Sequence, residues 1–215
     1  MFTGLVTEMG EVLSLRRRGT GAVLAVRAPG AARDAAVGDS IDVSGACLTV
    51  TSVSGEALVF DLSGETLSRT TLGGLRPGAR VNIEPSLAAS GKLGGHFVTG
   101  HVDAVGAIRR KARDGEMLSL TVEAPPEVAA LLVEKGSVAV DGVSLTVVDV
   151  LGDAFTVAVV PHTAAVTTLG RKGAGDRVNL EADIIGKYVH RFLHERTGEA
   201  DTLLKTLARE GFVGG

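Results

Sequence analysis

Two halves of this chain say the same thing. Aligning Thr3-Gly4 with Thr99-Gly100 also brings Val6 onto Val102 and Gly10 onto Gly106, and the echo resumes downstream after a small change of register. There Gly45 falls on Gly142, Leu48-Thr49-Val50 on Leu145-Thr146-Val147, Thr70-Thr71-Leu72-Gly73 on Thr167-Thr168-Leu169-Gly170, and Arg80-Val81-Asn82 on Arg177-Val178-Asn179. The unit is roughly a hundred residues long, beyond the ~20–50-residue periods of solenoids and propellers, and can bury a core of its own. The repeat implies tandem domains over residues 1–86 and 96–184. A glycine-rich linker over 87–95 has no partner in the repeat, and 185–215 is an appendage.

Within the first repeat, short apolar runs separated by glycine predict strands at Leu5 to Leu15, Ala22 to Ala28, Ser40 to Val43, Cys47 to Val53, Ala57 to Leu62 and Arg80 to Glu84. Strands at this spacing predict an all-β class: two tandem Greek-key six-stranded β-barrels plus a C-terminal α-helix. Pro29 to Val37, and its counterpart from Pro126 to Gly136, predict a short helix opened by proline and closed by glycine. A further helical turn is expected from Thr66 to Gly73, capped by the Thr66 hydroxyl, and again from Thr163 to Gly170. Arg16 to Arg18 read as a solvated loop.

After the second repeat, Ile185, Tyr188, Val189, Phe192 and Leu193 recur at helical spacing. Such a stripe can pack on copies of itself or back on its own barrel. A second short helix is expected over Asp201 to Arg209.

Bulk properties narrow the function. With 45% hydrophobic and 22% charged residues the chain is globular, and a net charge of −3 with scattered basic residues gives no stripe for nucleic acid. Aromatic residues make up 3%, too few for a base-stacking platform. The single cysteine forms no intrachain disulfide, and neither a signal peptide nor a membrane-length apolar run is visible, so the cytoplasm is the expected address. His190 and His194 stand one helical turn apart without a third ligand, so no metal site is expected. Walker, dinucleotide and nucleophile-elbow motifs are absent.

The chemistry concentrates on one strand per repeat. Ser44-Gly45 and Asp141-Gly142 are turn dipeptides, each opening a strand that alternates small polar with aliphatic residues. Cys47, Thr49 and Thr51 therefore share one face, as do Ser144 and Thr146, while Leu48, Val50, Leu145 and Val147 fill the core. Such a row suits a small polyol-like ligand, since hydroxyls both donate and accept. The halves differ at reactive positions: Leu5 becomes His101, Cys47 becomes Ser144, Ser44 becomes Asp141 and Ser86 becomes Asp183.

Met1-Phe2-Thr3-Gly4-Leu5-Val6, Gly45-Ala46-Cys47-Leu48-Thr49-Val50, the run from Gly94 to Asp103, Asp141 to Val147, Pro161-His162-Thr163 and Val178 to Asp183 closely resemble the α-subunit type of riboflavin synthase. The resemblance implies a cofactor-free and metal-free dismutation of two molecules of 6,7-dimethyl-8-ribityllumazine to riboflavin and 5-amino-6-ribitylaminouracil. It implies a homotrimer held by the C-terminal helix, with the amino-terminal barrel of one subunit facing the carboxy-terminal barrel of another, and leaves open association with a lumazine synthase shell. By resemblance Phe2, Cys47 and Thr49 line the first barrel's pocket. His101, Lys135, Ser144, Thr146, Thr163 and Asp183 line the second, and Gly4, Val6, Val102 and His162 are further substrate contacts. His101 would handle a proton, Ser144 and Cys47 would supply hydrogen bonds or a transient nucleophile, and Phe2 would pack against a ring.

Two other readings compete. The lumazine proteins of luminescent bacteria resemble the same duplicated barrel and bind without turnover; a barrel adaptor for a protein partner would leave the repeated polar row unexplained.

Overall fold

In β2 (Gly21–Arg27) Ala22, Leu24 and Val26 are buried while their neighbours are not, the period-two signature of a strand with one wet face. The same alternation runs through β1 (Glu8–Arg18), β4 (Ala46–Ser54) and β5 (Ala57–Leu62), and β3 (Ser40–Val43) and β6 (Arg80–Pro85) complete the set. In a computed structural model describing residues 1–193, these strands close into an antiparallel barrel in the order β1-β2-β5-β4-β3-β6. A second closed barrel is built from β7 (Ala104–Asp114), β8 (Met117–Glu123), β9 (Ser137–Val140), β10 (Val143–Val150), β11 (Ala154–Val159) and β12 (Arg177–Ala182). The expected all-β class with two six-stranded barrels is the observed one.

Each barrel wraps an aliphatic core, around Leu24, Ile41, Leu58 and Phe60 in the first and Leu120, Val138, Phe155 and Leu180 in the second. Register shifts at Val12/Ser14 and Val50/Ser52 recur at Ile108/Arg110 and Val147/Asp149. A bulge sharpens strand twist, and paired bulges are how a short sheet bends far enough to close.

Three local expectations are corrected. Arg16 to Arg18 continue β1 as exposed residues of its hairpin with β2. The helix α2 (Gly64–Arg69) is capped by Ser63, whose hydroxyl accepts from the Thr66 N–H at 3.0 Å; Thr66 sits one turn inside. The first strand begins at Glu8, not Leu5, because the residues before it are committed elsewhere. The helices α1 (Pro29–Asp34), α3 (Pro126–Ala129) and α4 (Pro161–Val166) each carry proline in the first turn.

The barrels meet at their hairpin tips. Ser44 and Asp141 both adopt positive φ, 49° and 48°, followed by Gly45 and Gly142 at 90° and 76°. This is the two-residue turn that matches strand twist. A Cβ on Gly45 would lie 3.0 Å from the Gly142 nitrogen, so glycine at the tip also permits the close approach. Asn82 and Asn179 lock the contact reciprocally: Asn82 Nδ2 donates to the Asp141 carbonyl at 2.8 Å and Asn179 Nδ2 to the Ser44 carbonyl at 2.7 Å. Their Oδ1 atoms accept from the backbone of Thr168 and Thr71.

Contacts divide the chain into Met1–Asp183, which holds both barrels, and a second unit beginning at Ile184. Of that unit the structure describes a helix, α5, over 184–193, on which Ile185, Tyr188, Val189, Phe192 and Leu193 are exposed. His194 and the expected helix from Asp201 to Arg209 lie outside the described residues.

Candidate active site

Two short arms, Met1 to Val6 and Phe97 to Val102, run against each other and then part. They bridge at Phe2 and Val98, whose backbones exchange hydrogen bonds of 2.7 and 3.1 Å. Beyond that bridge each arm docks on the barrel of the other repeat. The Gly100 carbonyl accepts from Cys47 N–H at 2.8 Å, and the Gly4 carbonyl accepts from Ser144 N–H at 2.9 Å. Val102 packs on the first barrel's core and Val6 on the second's.

Buried carboxylates hold the arms. Glu84, on β6, accepts from Thr3 N and Thr3 Oγ1 at 2.7 Å and from Gly4 N at 2.9 Å. Glu181, on β12, accepts from Thr99 N and Oγ1 at 2.7 Å and from Gly100 N at 3.0 Å. So each barrel anchors the arm that docks on its neighbour. Both glutamates follow a repeated Val-Asn-aliphatic tripeptide, a signal available in the sequence.

On the first barrel the arm closes a cleft of ≈ 470 Å³ lined by Cys47, Ser63, Thr66 and Arg69 from the barrel and by His101 and Val102 from the arm. That volume falls within the range of small-molecule sites. His101 and Val102 therefore stand beside Cys47, which corrects the assignment of His101 to the second barrel's pocket. Alignment places a residue in its own repeat; the crossing arms exchange Thr3 to Val6 for Thr99 to Val102. Thr49, two residues along β4 from Cys47, is exposed on the same outer face. Ser63, Thr66 and Arg69, at or beside α2, complete the wall; sequence reasoning offers Thr66 only as a helix cap and does not reach Ser63 or Arg69. Phe2 is fully buried with Val98 and Ala139, and Cys47 packs against them, so its ring braces the arm crossing.

On the second barrel Ser144 is partly buried and Thr146 exposed on the outer face of β10. The arm brings Gly4 and Val6, with exposed Leu5 in the place His101 holds opposite. His96 joins them from the linker exit: its Nδ1 lies 2.7 Å from Ser144 Oγ, its N–H donates to the Thr3 carbonyl, and only 7% of the residue is exposed. Burial lowers the imidazole's pKa while the Asp183 carboxylate acts in the opposite sense, which places Asp183 within electrostatic reach. Lys135 turns at positive φ, 65°, at the entry to β9. His162 is exposed and Thr163 partly buried on α4.

Between the barrels lies a nest of acids. Asp42 accepts from Gly45 N–H at 2.6 Å but leaves Oδ2 unpartnered. Burial pushes its pKa up to about 8, with Glu84, Glu181 and Asp141 adding to the rise. Burial raises Asp141 too, against the pull of Lys172, which donates to its Oδ2. Among the described residues no three His, Cys, Asp or Glu side chains group as metal ligands.

A model of the lumazine binding domain matches the chain twice, over residues 3–86 and 99–183. The chain is 40% identical over 215 residues to riboflavin synthase of Actinobacillus pleuropneumoniae, covering 99% of this chain and 100% of that one. It is 46% identical over 198 residues to riboflavin synthase of Mycobacterium bovis, covering 90% and 98%. Among solved structures, LumP complexed with 6,7-dimethyl-8-(1'-D-ribityl) lumazine has the same fold at a TM-score of 0.77 and 23% identity, covering 85% of this chain and 99% of LumP. Two barrels with exchanged arms, a doubly matched lumazine-binding unit and full-length likeness to these enzymes agree: the chain belongs to the riboflavin synthase family.

Proposed function

We propose that this protein is a riboflavin synthase in the full sense: it binds 6,7-dimethyl-8-ribityllumazine on each barrel and moves a four-carbon unit from one molecule to the other. The products are riboflavin and 5-amino-6-ribitylaminouracil. The two substrates contain every atom of the two products, so neither water nor a redox partner enters the balance.

The observation that carries this reading is the cleft where Cys47 and His101, distant in sequence, face one small-molecule-sized space beside a row of small polar groups. Relatives of 36–46% identity spanning nearly the whole chain carry the same enzyme name. Lumazine units over residues 1–86 and 96–184, the linker over 87–95 and the helix and tail over 185–215 follow from it. Thr49 and Thr146 would meet ribityl hydroxyls, joined by Asp183, Thr163 and His162 on the second barrel. Lys135 would line the second barrel's pocket with them.

Deprotonation of the lumazine 7-methyl group leaves a carbanion delocalised into the ring, so the protein's work is to orient two rings and move protons. Holding two reactants in near-attack geometry contributes on the order of 7–11 kcal/mol. In the proposed assembly three chains join through the exposed apolar stripe of α5, as a cytoplasmic homotrimer, and barrels of neighbouring subunits face one another. A lumazine synthase shell is a natural partner, since it would supply the substrate.

The carrier reading has less support, because Cys47, Ser144, His96 and His101 are all present at the pockets. Mixing purified protein with lumazine decides between them: one riboflavin formed for two lumazines consumed establishes the dismutation, and stoichiometric binding without riboflavin assigns the carrier role.

A further inference from the structure

One short helix separates the two repeats at their polar walls. In the first cleft α2 and its cap supply Thr66, Arg69 and Thr70, and the matching positions at α4 are Thr163, Val166 and Thr167. The threonines are kept; the residue between them exchanges a guanidinium for an isopropyl group. Arg69 is the only lysine or arginine lining the first cleft, it is exposed, and its guanidinium has no ion-pair or hydrogen-bond partner among the described residues.

Two acids line the same cleft, and both have other tasks. Asp103 turns a carboxylate oxygen to the Ala182 N–H at 2.8 Å, on the second barrel. Glu65 stands in the first turn of α2 and Arg69 in the last, so each charge suits its own end of the helix dipole. That match accounts for a basic residue at the end of α2. It does not account for the cation facing a cleft of ≈ 470 Å³ beside His101.

The ligand assigned to this cleft has an edge that fits a guanidinium. In 6,7-dimethyl-8-ribityllumazine the C4 carbonyl oxygen and ring nitrogen N5 lie side by side in one plane, both acceptors, as O6 and N7 do in guanine. Arginine takes that guanine edge with two parallel N–H donors, the commonest specific contact to a base. Its planar fork meets such a pair better than the point charge of an ammonium does. Charge matters as well. When the 7-methyl C–H bond breaks, the proton passes to solvent and the electron pair stays on the lumazine, spreading through the ring to its carbonyl oxygens, O4 among them.

We propose that Arg69 is a substrate-binding residue of the first pocket: its guanidinium takes the O4/N5 edge of the lumazine bound there and stabilises the charge that reaches O4 once the methyl proton is lost. Val166 offers no such contact in the second pocket.

This inference rests on the reading of the first cleft as a lumazine site, and the experiment tells the two apart. Riboflavin keeps the O4/N5 edge and does not react alone; 5-deazariboflavin has C–H in place of N5. Protection of Cys47 from iodoacetamide reads the affinity of each for the first cleft. The unsubstituted protein is expected to hold riboflavin at least fivefold more tightly than 5-deazariboflavin. Arg69→Met is expected to weaken riboflavin by roughly 5–150-fold, the worth of a two-bond arginine contact, and to bind both flavins equally. Arg69→Lys keeps the charge without the fork, so it too should lose the preference for N5. A residue that only ended α2 would, when replaced, weaken both flavins together and leave their ratio intact. No preference in the unsubstituted protein, or one that survives in Arg69→Met, overturns the proposal. Exchange of the lumazine 7-methyl protons in heavy water, followed by proton NMR, reads the charge: Arg69→Met should slow it several-fold more than Arg69→Lys, and equal rates in all three proteins would overturn that half. Failure of both lumazine and riboflavin to protect Cys47 in the unsubstituted protein overturns the reading of the cleft itself. If circular dichroism shows Arg69→Met unfolded, the flavin ratio in Arg69→Lys carries the test.

Discussion

Cys47 donates its backbone N–H to the Gly100 carbonyl at 2.8 Å, although the two residues belong to different repeats. That one bond fixes where His101 goes. It makes the first cleft a joint product of both halves, with Glu181 of the second barrel as the remote anchor.

Substituting Gly100 tests the docking directly. Gly100 sits at φ 77°, and an added Cβ would lie 2.5 Å from Cys47 Cβ. Gly100→Ala is expected to destabilise the protein by about 1–3 kcal/mol and to weaken ligand binding at the first cleft. Denaturant melts and lumazine titration check both; an unchanged affinity would mean the arm is not part of the cleft.

Removing the anchor should act at a distance. Glu181→Gln keeps one acceptor oxygen but turns an amide N–H₂ toward donors, so a loss of roughly 1.5–3 kcal/mol is expected for each charge-assisted bond broken. Turnover should fall with it, since His101 is carried on that arm. The mirror change Glu84→Gln should instead disturb Ser144 and His96, which isotope exchange at the 7-methyl group would register.

Much of this fold is legible in the sequence. The alternation of Leu24 and Val26 with their wet neighbours marks β2, and the turn dipeptides at Ser44-Gly45 and Asp141-Gly142 mark the hairpins. Reading Leu5 as the start of the first strand fails for the same reason as assigning His101 to the second pocket. Thr3 to Val6 and Thr99 to Val102 have the apolar pattern of a strand, but their hydrogen-bond partners lie on the other barrel, and partner choice is a tertiary property that periodicity does not encode. His96 is invisible for a related reason: nothing local distinguishes a histidine after Gly94-Gly95 from a solvated one until Ser144 is placed against it.

The acid nest gives a pH signature. Asp42 is expected to hold its proton in the folded state up to about 8, against an ordinary value of 3.8. A folded pKa raised in this way contributes stability fully below pH ~4, loses it progressively as pH rises toward 8, and levels off above. Asp42→Asn removes that dependence while keeping the Gly45 hydrogen bond. Relative to the unsubstituted protein it should gain stability steadily between pH 5 and 8, measurable as diverging urea midpoints; a constant difference across that window would contradict a protonated Asp42.

Severing the barrel contact has a predictable cost. Asn82→Ala removes the donor to the Asp141 carbonyl and the acceptor for Thr168 N–H, leaving two buried backbone groups unpaired. About 1–3 kcal/mol is expected for each. Calorimetry should show a lower Tm, and two separate transitions if the barrels come apart before they unfold.

The most direct measurement uses the chain's only thiol. Cys47 lines the first cleft and is partly exposed, so its alkylation by iodoacetamide reports whether the cleft is occupied. Saturating 6,7-dimethyl-8-ribityllumazine is expected to slow the alkylation, and Glu181→Gln to erode that protection. An alkylation rate indifferent to lumazine, in protein that still converts it to riboflavin, would contradict the placement of substrate beside Cys47 and His101.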